Sequence, residues 1–433
     1  MPPSPQKGPR LTRALQHRNF RLFFGGQSIS LVGTWITRVA TSWLIYRLTG
    51  SELLLGVAGF AGQIPTLLIT PFAGVLVDRM DRRQMLVITQ AASLIQSAVL
   101  AVLTLAGHVT VGQIVGLQII QGIINAFDTP ARQAFVSEMV EDRRDLPNAI
   151  ALNSSMVNGS RIIGPSIGGL LIAGFGEGWC FAIDSISYLF VIASLLAMRV
   201  QPRIREDVSE MRVLHELGHG WSYIAGHVPI RTALVMVAIV STAGTPYSVL
   251  MPVMASEVLG GGPNTLGILM AASGAGALSG ALYLASRESV VGIGRIIMYA
   301  TLLFGGGLIA FSQAHSLPVA CLLLALAGAG FMMQLAGTNT FLQTIVEERL
   351  RGRVMSFYTM AFFGTVPIGS LIGGVVAERI GAPATIALSG AVCLAAGAWF
   401  AARLPKIRAI VRPMYQRLGI LTVPAVDTGT KTL

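Results

Sequence analysis

Charge is what this chain of 433 residues has least of: Asp, Glu, Lys and Arg together make up 12%. A soluble domain carries about 25%, so the shortage excludes an ordinary water-exposed globule. Cysteine is scarce too. Cys180, Cys321 and Cys393 lie in apolar stretches without metal-ligand spacing, read as packing residues, and are silent on redox compartment. No G-x-x-x-x-G-K-[ST] loop occurs, so no visible site makes ATP the energy source. Alternating ten-residue strands are missing, which excludes a membrane β-barrel. A cleavable signal peptide is not expected either. Residues 1–18 are polar and basic (Lys7, Arg10, Arg13, Arg18), and the apolar run after them is longer than a signal-peptide core.

What is present is apolar and glycine-rich: 53% hydrophobic residues and 49 glycines, with a mean hydropathy of +0.67. Glycine at that level suits helices packed closely in lipid. A bilayer core needs about 20 apolar residues of helix, and twelve stretches meet that measure. They run 20–46, 53–77, 84–107, 112–137, 149–174, 178–198, 232–257, 263–286, 291–313, 316–345, 354–379 and 383–403. The expected fold is an all-α membrane protein, two six-helix bundles at 19–198 and 230–404. A polar linker at 199–229 joins them, flanked by an N-tail at 1–18 and a C-tail at 405–433.

Orientation follows from the basic residues. With the N-terminus inside, only Arg47 and Arg379 stand at the outer side, and Arg38, Arg132 and Arg161 fall inside spans, with Arg21, Arg295 and Arg403 at inner span ends counted with the inner segments. All the other Lys and Arg fall in inner segments. Both termini are therefore expected in the cytoplasm. The net charge of +11 reflects topology and gives no reason to expect nucleic acid as a partner. The lipid bilayer is the partner it implies.

The chain repeats itself. G-P-S-I-G-G-L-L-I-A-G-F-G at 164–176 matches G-S-L-I-G-G-V-V-A-E-R-I-G at 369–381, and F-V-S-E-M-V-E-D-R-R at 135–144 matches F-L-Q-T-I-V-E-E-R-L at 341–350. Such parallel repeats place a binding site at their interface near mid-membrane.

Span 4 carries a polar stripe. Gln118, Gln121, Asn125, Asp128 and Arg132 step by three and four residues, which keeps them on one helical face. The stripe lines a watery cavity or packs, hydrogen-bonded, against another helix; lipid is excluded because a charge in mid-bilayer costs at least ~2.5–3.5 kcal/mol. By helical rise, Asp128 and Arg161 both stand about 15–18 Å above the inner face. Asp128 therefore pairs with Arg161, or with Arg132 one turn away. Asp184 in span 6 is a second carboxylate within a span and a candidate proton carrier, unless Arg38 neutralises it. The second half has no comparable charges, since Gln334 and Thr338 stand where Asp128 and Arg132 would repeat. Gln118, Gln121 and Asn125 in the first half, and Tyr247, Phe331, Gln334 and Asn339 in the second, are candidates to line a substrate cavity. Gly168, Gly169, Gly373 and Gly374 allow helices to cross closely. Pro165 and Pro367 suit helices that bend.

Between spans 2 and 3 stands Gly74-x-x-x-Asp78-Arg79-x-x-Arg82-Arg83. This resembles the loop 2–3 signature of the major facilitator superfamily, with Asp81 where a second glycine is usual. The resemblance extends over essentially all twelve spans. Gly164-Pro165-x-x-Gly168-Gly169 is similar to the exporter motif of that superfamily. N-F-R-L-F-F-G-G-Q (19–27), F-D-T-P-A-R-Q-A-F-V (127–136) and L-P-N-A-I-A-L-N (146–153) resemble the branch holding the enterobactin exporter and macrolide efflux proteins. Span 4 departs from the superfamily: Gln118-x-x-Gln121-Gly122 replaces R-x-x-Q-G, whose arginine is tied to proton coupling.

The resemblance implies a secondary active exporter in the cell membrane (the bacterial cytoplasmic membrane). It would move small amphipathic molecules (a drug, siderophore or metabolite) against protons by alternating access, with no cofactor and as a monomer. It implies a cytoplasmic gate at Gly74, Asp78, Arg79, Arg82 and Arg83, with Asp78 closing against the start of span 11 near Arg353. Proton coupling falls to Asp128, Arg132, Arg161, Asp184 and Arg38. Uptake and lipid flipping are the alternatives.

His215-Glu216-Leu217-Gly218-His219 fits H-E-x-x-H, which on a helix binds zinc with the glutamate as base. It lies in the linker, Ser222 and Ala225 break the extended zinc-protease pattern, and no soluble domain shields it. The reading preferred is an amphipathic interfacial helix with Leu214, Leu217, Trp221 and Ile224 on its lipid side, no metal, and no enzyme.

Overall fold

A computed structural model describes residues 10–140, 142–199 and 222–417, with the side chains of a few further residues, Gly74, Asp78 and Arg79 among them, outside the description. The H-E-x-x-H segment lies outside the described residues. Twelve long helices follow one another, with no strand among the described residues. The first six are α1 (Arg18–Thr49), α2 (Glu52–Arg79), α3 (Arg82–Leu105), α4 (Val111–Phe135), α5 (Leu146–Phe175) and α6 (Glu177–Ala197). The second six are α7 (Val228–Val258), α8 (Pro263–Ala285), α9 (Ile293–Ser312), α10 (Leu317–Ile345), α11 (Glu348–Ile380) and α12 (Ala382–Arg417).

Local chemistry sets the ends. Gly50 takes a left-handed φ of 60° after α1, a conformation glycine adopts without a Cβ penalty. Ser51 caps α2 by accepting from Leu54 N at 3.2 Å, and Thr110 and Gln113 form a reciprocal capping box on α4. Asp81, the departure from the family's glycine, is the cap of α3: its Oδ1 accepts from Gln84 N at 3.0 Å. The substitution thus supplies an acceptor for one of the orphan donors of that helix.

Two helices of the second half are interrupted near prolines. α7 is interrupted at Thr245 before Pro246 and ends in a wide turn at Met254–Val258. α11 breaks at Gly364 and Thr365, ahead of Pro367. α5, by contrast, runs unbroken through Pro165. Proline has no N–H for the carbonyl four residues back, so the Arg161 carbonyl is left without its helical bond.

Within the first bundle α1 packs on α5 and α6, α3 on α4 and α6, and α2 on α4. In the second, α8 and α9 pack on α10, and α12 on α7 and α9. Long apolar side chains stay exposed on the outside, among them Phe72, Phe175 and Leu170, as lipid-facing residues do. Among the described residues nine helices are apolar and long enough to span a bilayer: only α2, α3 and α6 of the first bundle, but all six of the second.

The bundles meet along α5–α8 and α2–α11. Both seams are built on glycine at the end away from the termini. A Cβ on Gly169 would stand 2.7 Å from Pro263 O and 3.1 Å from Gly267 Cα; one on Gly374 would stand 2.8 Å from both Glu52 O and Gly56 Cα. Each preceding glycine faces its own bundle instead, Gly168 against Ile36 of α1 and Gly373 against Pro246 of α7. The repeated Gly-Gly pair therefore does the same two jobs in each half. Three hydrogen bonds join the bundles at that same end: Tyr46 Oη to Glu257 Oε1 at 2.8 Å, and Ser51 Oγ and Leu53 N to Glu378 Oε2, each at 3.2 Å.

Candidate substrate and coupling site

Within the polar stripe of α4, Asp128 is buried and Gln118, Gln121, Asn125 and Arg132 are half-buried. Asp128 and Gln121 meet α3, which carries its own stripe of Thr89, Gln90, Ser93, Gln96 and Ser97, all buried. Asp128 Oδ1 accepts from Thr89 Oγ1 at 3.0 Å and from Gln90 Nε2 at 2.8 Å. Gln121 Nε2 donates to Ser93 Oγ at 3.2 Å and to Asn125 Oδ1 at 3.1 Å. Gln118 stands against α2 near Gly62. The physical reason is complementarity: hydroxyls and an amide on α3 at helical spacing meet the Asp128 carboxylate and the Gln121 amide N–H, while Gln121 Oε1 is left without a partner. Span 3's polar residues, also three and four apart, carried that signal in the sequence and were not among the expected site residues.

Asp128 takes the nearer of its two expected partners. Its Oδ2 lies 3.4 Å from Arg132 Nη2, one turn along the same helix. The Asp128–Arg161 pair is not formed, because the Arg161 side chain turns toward α1. Asp184, 2% exposed, sits where α1, α3 and α6 converge. Its Oδ2 accepts from Thr37 Oγ1 at 2.9 Å and Ser97 Oγ at 3.2 Å, and its Oδ1 has no hydrogen-bond partner. Arg38 does not neutralise it. Gly33 makes room for this carboxyl, since a Cβ there would lie 2.7 Å from Asp184 Oδ1.

Arg38 and Arg161 instead share one ring. Their guanidinium carbons stand 4.5 Å and 5.7 Å from the centroid of the Trp35 indole. Among the described residues neither makes an ion pair or hydrogen bond. Gly164 lets α1 approach α5 closely at Trp35, because a Cβ on Gly164 would collide with Trp35 Cβ. Arg161's free carbonyl faces Gly274 of α8, so this side of α5 looks onto the second bundle. Cation–π contact returns about 0.5–2 kcal/mol per arginine, below the ~2.5–3.5 kcal/mol or more that each costs in mid-bilayer. The ring alone does not offset the pair.

The second bundle's expected cavity residues divide. Tyr247 and Gln334 are buried, 8% and 1% exposed, and do not line a cavity here. Tyr247 Oη is hydrogen-bonded with Ser273 Oγ at 3.2 Å, and Gln334 Nε2 donates to Thr338 Oγ1 at 3.4 Å. Phe331 is half-buried between Phe304 and Phe362, with centroids 5.1 Å and 6.2 Å away. Asn339, also half-buried, accepts from Gln343 Nε2 at 2.5 Å.

In the loop 2–3 signature, Arg82 and Arg83 brace the first bundle. Arg82 Nη1 meets Glu138 Oε1 at 2.7 Å, and Arg83 donates to the carbonyls of Leu195 and Leu196 at 2.7 and 2.8 Å. Both therefore tie the start of α3 to the terminal-side ends of α4 and α6. Glu138 was the acidic partner not anticipated from sequence.

A family model described as a transmembrane secretion effector matches residues 12–419. The staphyloferrin A transporter of Staphylococcus aureus is 25% identical over 90% of this chain and 97% of its own length. Macrolide efflux protein A of Streptococcus pyogenes is 25% identical over 88% and 96%. The multidrug efflux pump Tap of Mycolicibacterium fortuitum is 27% identical over 82% and 89%. In fold, the chain is similar to a bacterial homologue of the human lysosomal transporter Spinster in an inward-facing, unoccupied conformation. That likeness has a TM-score of 0.66 at 15% identity, over 97% of this chain and 100% of the other. The nucleoside transporter NupG gives 0.67 at 13%, over 90% and 99%. A family match along nearly the whole chain, on two glycine-seamed six-helix bundles, means that this chain belongs to the transmembrane secretion effector family of the major facilitator superfamily: it is a multi-pass membrane transporter.

Proposed function

We propose that the chain exports small amphipathic molecules across a bacterial cell membrane in exchange for protons, as a monomer with both termini in the cytoplasm. The observation that carries this reading is the pair of glycine seams. Backbones in contact at one end of α5–α8 and α2–α11, with three hydrogen bonds beside them, make a closed outer gate about which two rigid bundles pivot. In that frame the conformation is inward-facing, as in the similar Spinster homologue. Export as the direction is supported by the printed functions of the similar macrolide and multidrug efflux proteins.

Protons enter the cycle at Asp184 or Asp128, two carboxyls held by hydroxyl and amide donors inside the first bundle. Loading and unloading them biases the two states. The gate at Gly74, Asp78, Arg79, Arg82 and Arg83 closes the cytoplasmic side in the other half of the cycle. Everted vesicles containing the protein test direction and coupling together. With the lumen acidified, a radiolabelled amphipathic probe, 1-naphthylacetate, accumulates inside, and Asp184→Asn with Asp128→Asn removes the dependence on the gradient. Movement of opposite sign, or pH-driven transport intact in both variants, overturns the proposal.

A further inference from the structure

Among the described residues, Arg38 and Arg161 are cations without anions. The two carboxylates of the first bundle at mid-membrane are engaged elsewhere, Asp128 with Arg132, Thr89 and Gln90, and Asp184 with Thr37 and Ser97. The second bundle brings none to that level. Among its described acidic residues, Glu257 and Glu378 are at the far gate, Glu288 is in the loop after α8, and Glu347 and Glu348 are at the start of α11. Arg38 is exposed although it lies eleven residues from the end of α1, about 16 Å by helical rise. It stands two helical turns beneath Tyr46, whose contact with Glu257 closes that end. Arg161 is at the middle of α5, on the side that meets Gly274. The pair therefore faces the cleft between bundles, under the closed gate.

We propose that Arg38 and Arg161, steadied on Trp35, bind the oxyanion of an amphipathic substrate, so that the molecule this protein carries is an organic acid. Planar guanidinium forks suit a carboxylate or phosphate and bind it in paired hydrogen bonds. Trp35 holds the two forks beside one ring, and Gly164 lets α1 come close enough to α5 at Trp35 to bring them together. The apolar second bundle then meets the uncharged body of the substrate. This assignment rests on the transport reading and takes the two arginines out of the proton path.

The test is binding, with no transport step. Full-length protein in phosphatidylcholine nanodiscs is titrated with matched acid–amide probes, salicylate against salicylamide and 1-naphthylacetate against 1-naphthylacetamide. Tryptophan fluorescence and melting temperature are the readouts. The acids bind at least about tenfold more tightly than their amides. Arg38→Gln and Arg161→Gln each lose that preference while still binding the amide, which shows that they are folded; Arg38→Lys keeps part of it. Equal affinity for acid and amide in the unaltered protein, or an acid preference untouched in both Gln variants, overturns the proposal. Phosphatidylglycerol in the discs separates sources: if it displaces the acids, a lipid phosphate is the oxyanion, and if it does not, a soluble acid is. Because nothing is transported, loss of acid preference leaves export standing, and failed export in vesicles leaves the binding result standing.

Discussion

The two bundles share a fold and divide the chemistry. In the first, buried carboxyls at Asp128 and Asp184 are ringed by Thr37, Thr89, Gln90 and Ser97, and two arginines face the cleft. In the second, the residues standing where Asp128 and Arg132 would repeat are Gln334 and Thr338, which bond to each other. Among the described residues, three helices of the first bundle are apolar and long enough to cross a bilayer, while all six of the second are. The glycine seams ignore this difference and use the same pair of residues in each half. The repeat has kept the glycine geometry of the seams, while among the described residues the buried mid-helix carboxyls Asp128 and Asp184 lie in the first bundle. The second bundle then acts as a smooth counter-surface.

The largest expected effect strikes the shared part and sharpens the comparison. Gly169→Leu and Gly374→Leu push a branched side chain into a backbone–backbone contact, where even one added carbon meets atoms at 2.7–2.8 Å. Overpacking of this kind costs about 1–3 kcal/mol or more. Both variants abolish transport to the same degree, measured in vesicles at matched expression. Strong loss in one and normal transport in the other breaks the symmetry.

Next comes a contrast between equivalent positions. Asp128→Ala strands Arg132, Thr89 and Gln90 and lowers stability by roughly 3–5 kcal/mol, the cost of unpairing a buried charge. Gln334→Leu is a swap of similar volume at a neutral position and changes it by less than ~1.5 kcal/mol. Thermal unfolding in detergent compares them, and equal losses contradict the asymmetry. A smaller effect belongs to the outer gate. Tyr46→Phe removes one hydrogen bond to Glu257, worth about 0.5–1.5 kcal/mol. It shifts the resting population toward the outward-open state, which raises cysteine labelling of that end; unchanged labelling removes the bond from the gating account.

The fold was legible because span length and a repeated glycine motif are each written locally. Gly168-Gly169 and Gly373-Gly374 announced close helix crossings, although only the structure shows that the second glycine of each pair faces across the seam. The site was legible by residue type and less so by partner. A stripe at helical spacing on span 4 tells that a face is polar, not what it meets, and Thr89, Gln90 and Ser93 decide that in space. Asp128 chose Arg132 over Arg161 because a side chain one turn away needs no second helix to be placed. Tyr247 and Gln334 read as cavity residues from their polarity, but each is satisfied by a neighbour, Ser273 or Thr338. Trp35 gave no signal alone, since its role depends on Gly164 making room for it and on arginines from two helices.

The central claim is that proton chemistry is confined to the first bundle. Everted vesicles with an imposed pH gradient test it most directly, comparing Asp128→Asn and Asp184→Asn with Gln334→Leu and Asn339→Leu. The account predicts that at least one aspartate variant loses gradient-driven accumulation while both second-bundle variants keep it. Accumulation that survives in both aspartate variants, or that is lost on changing Gln334 or Asn339, contradicts it.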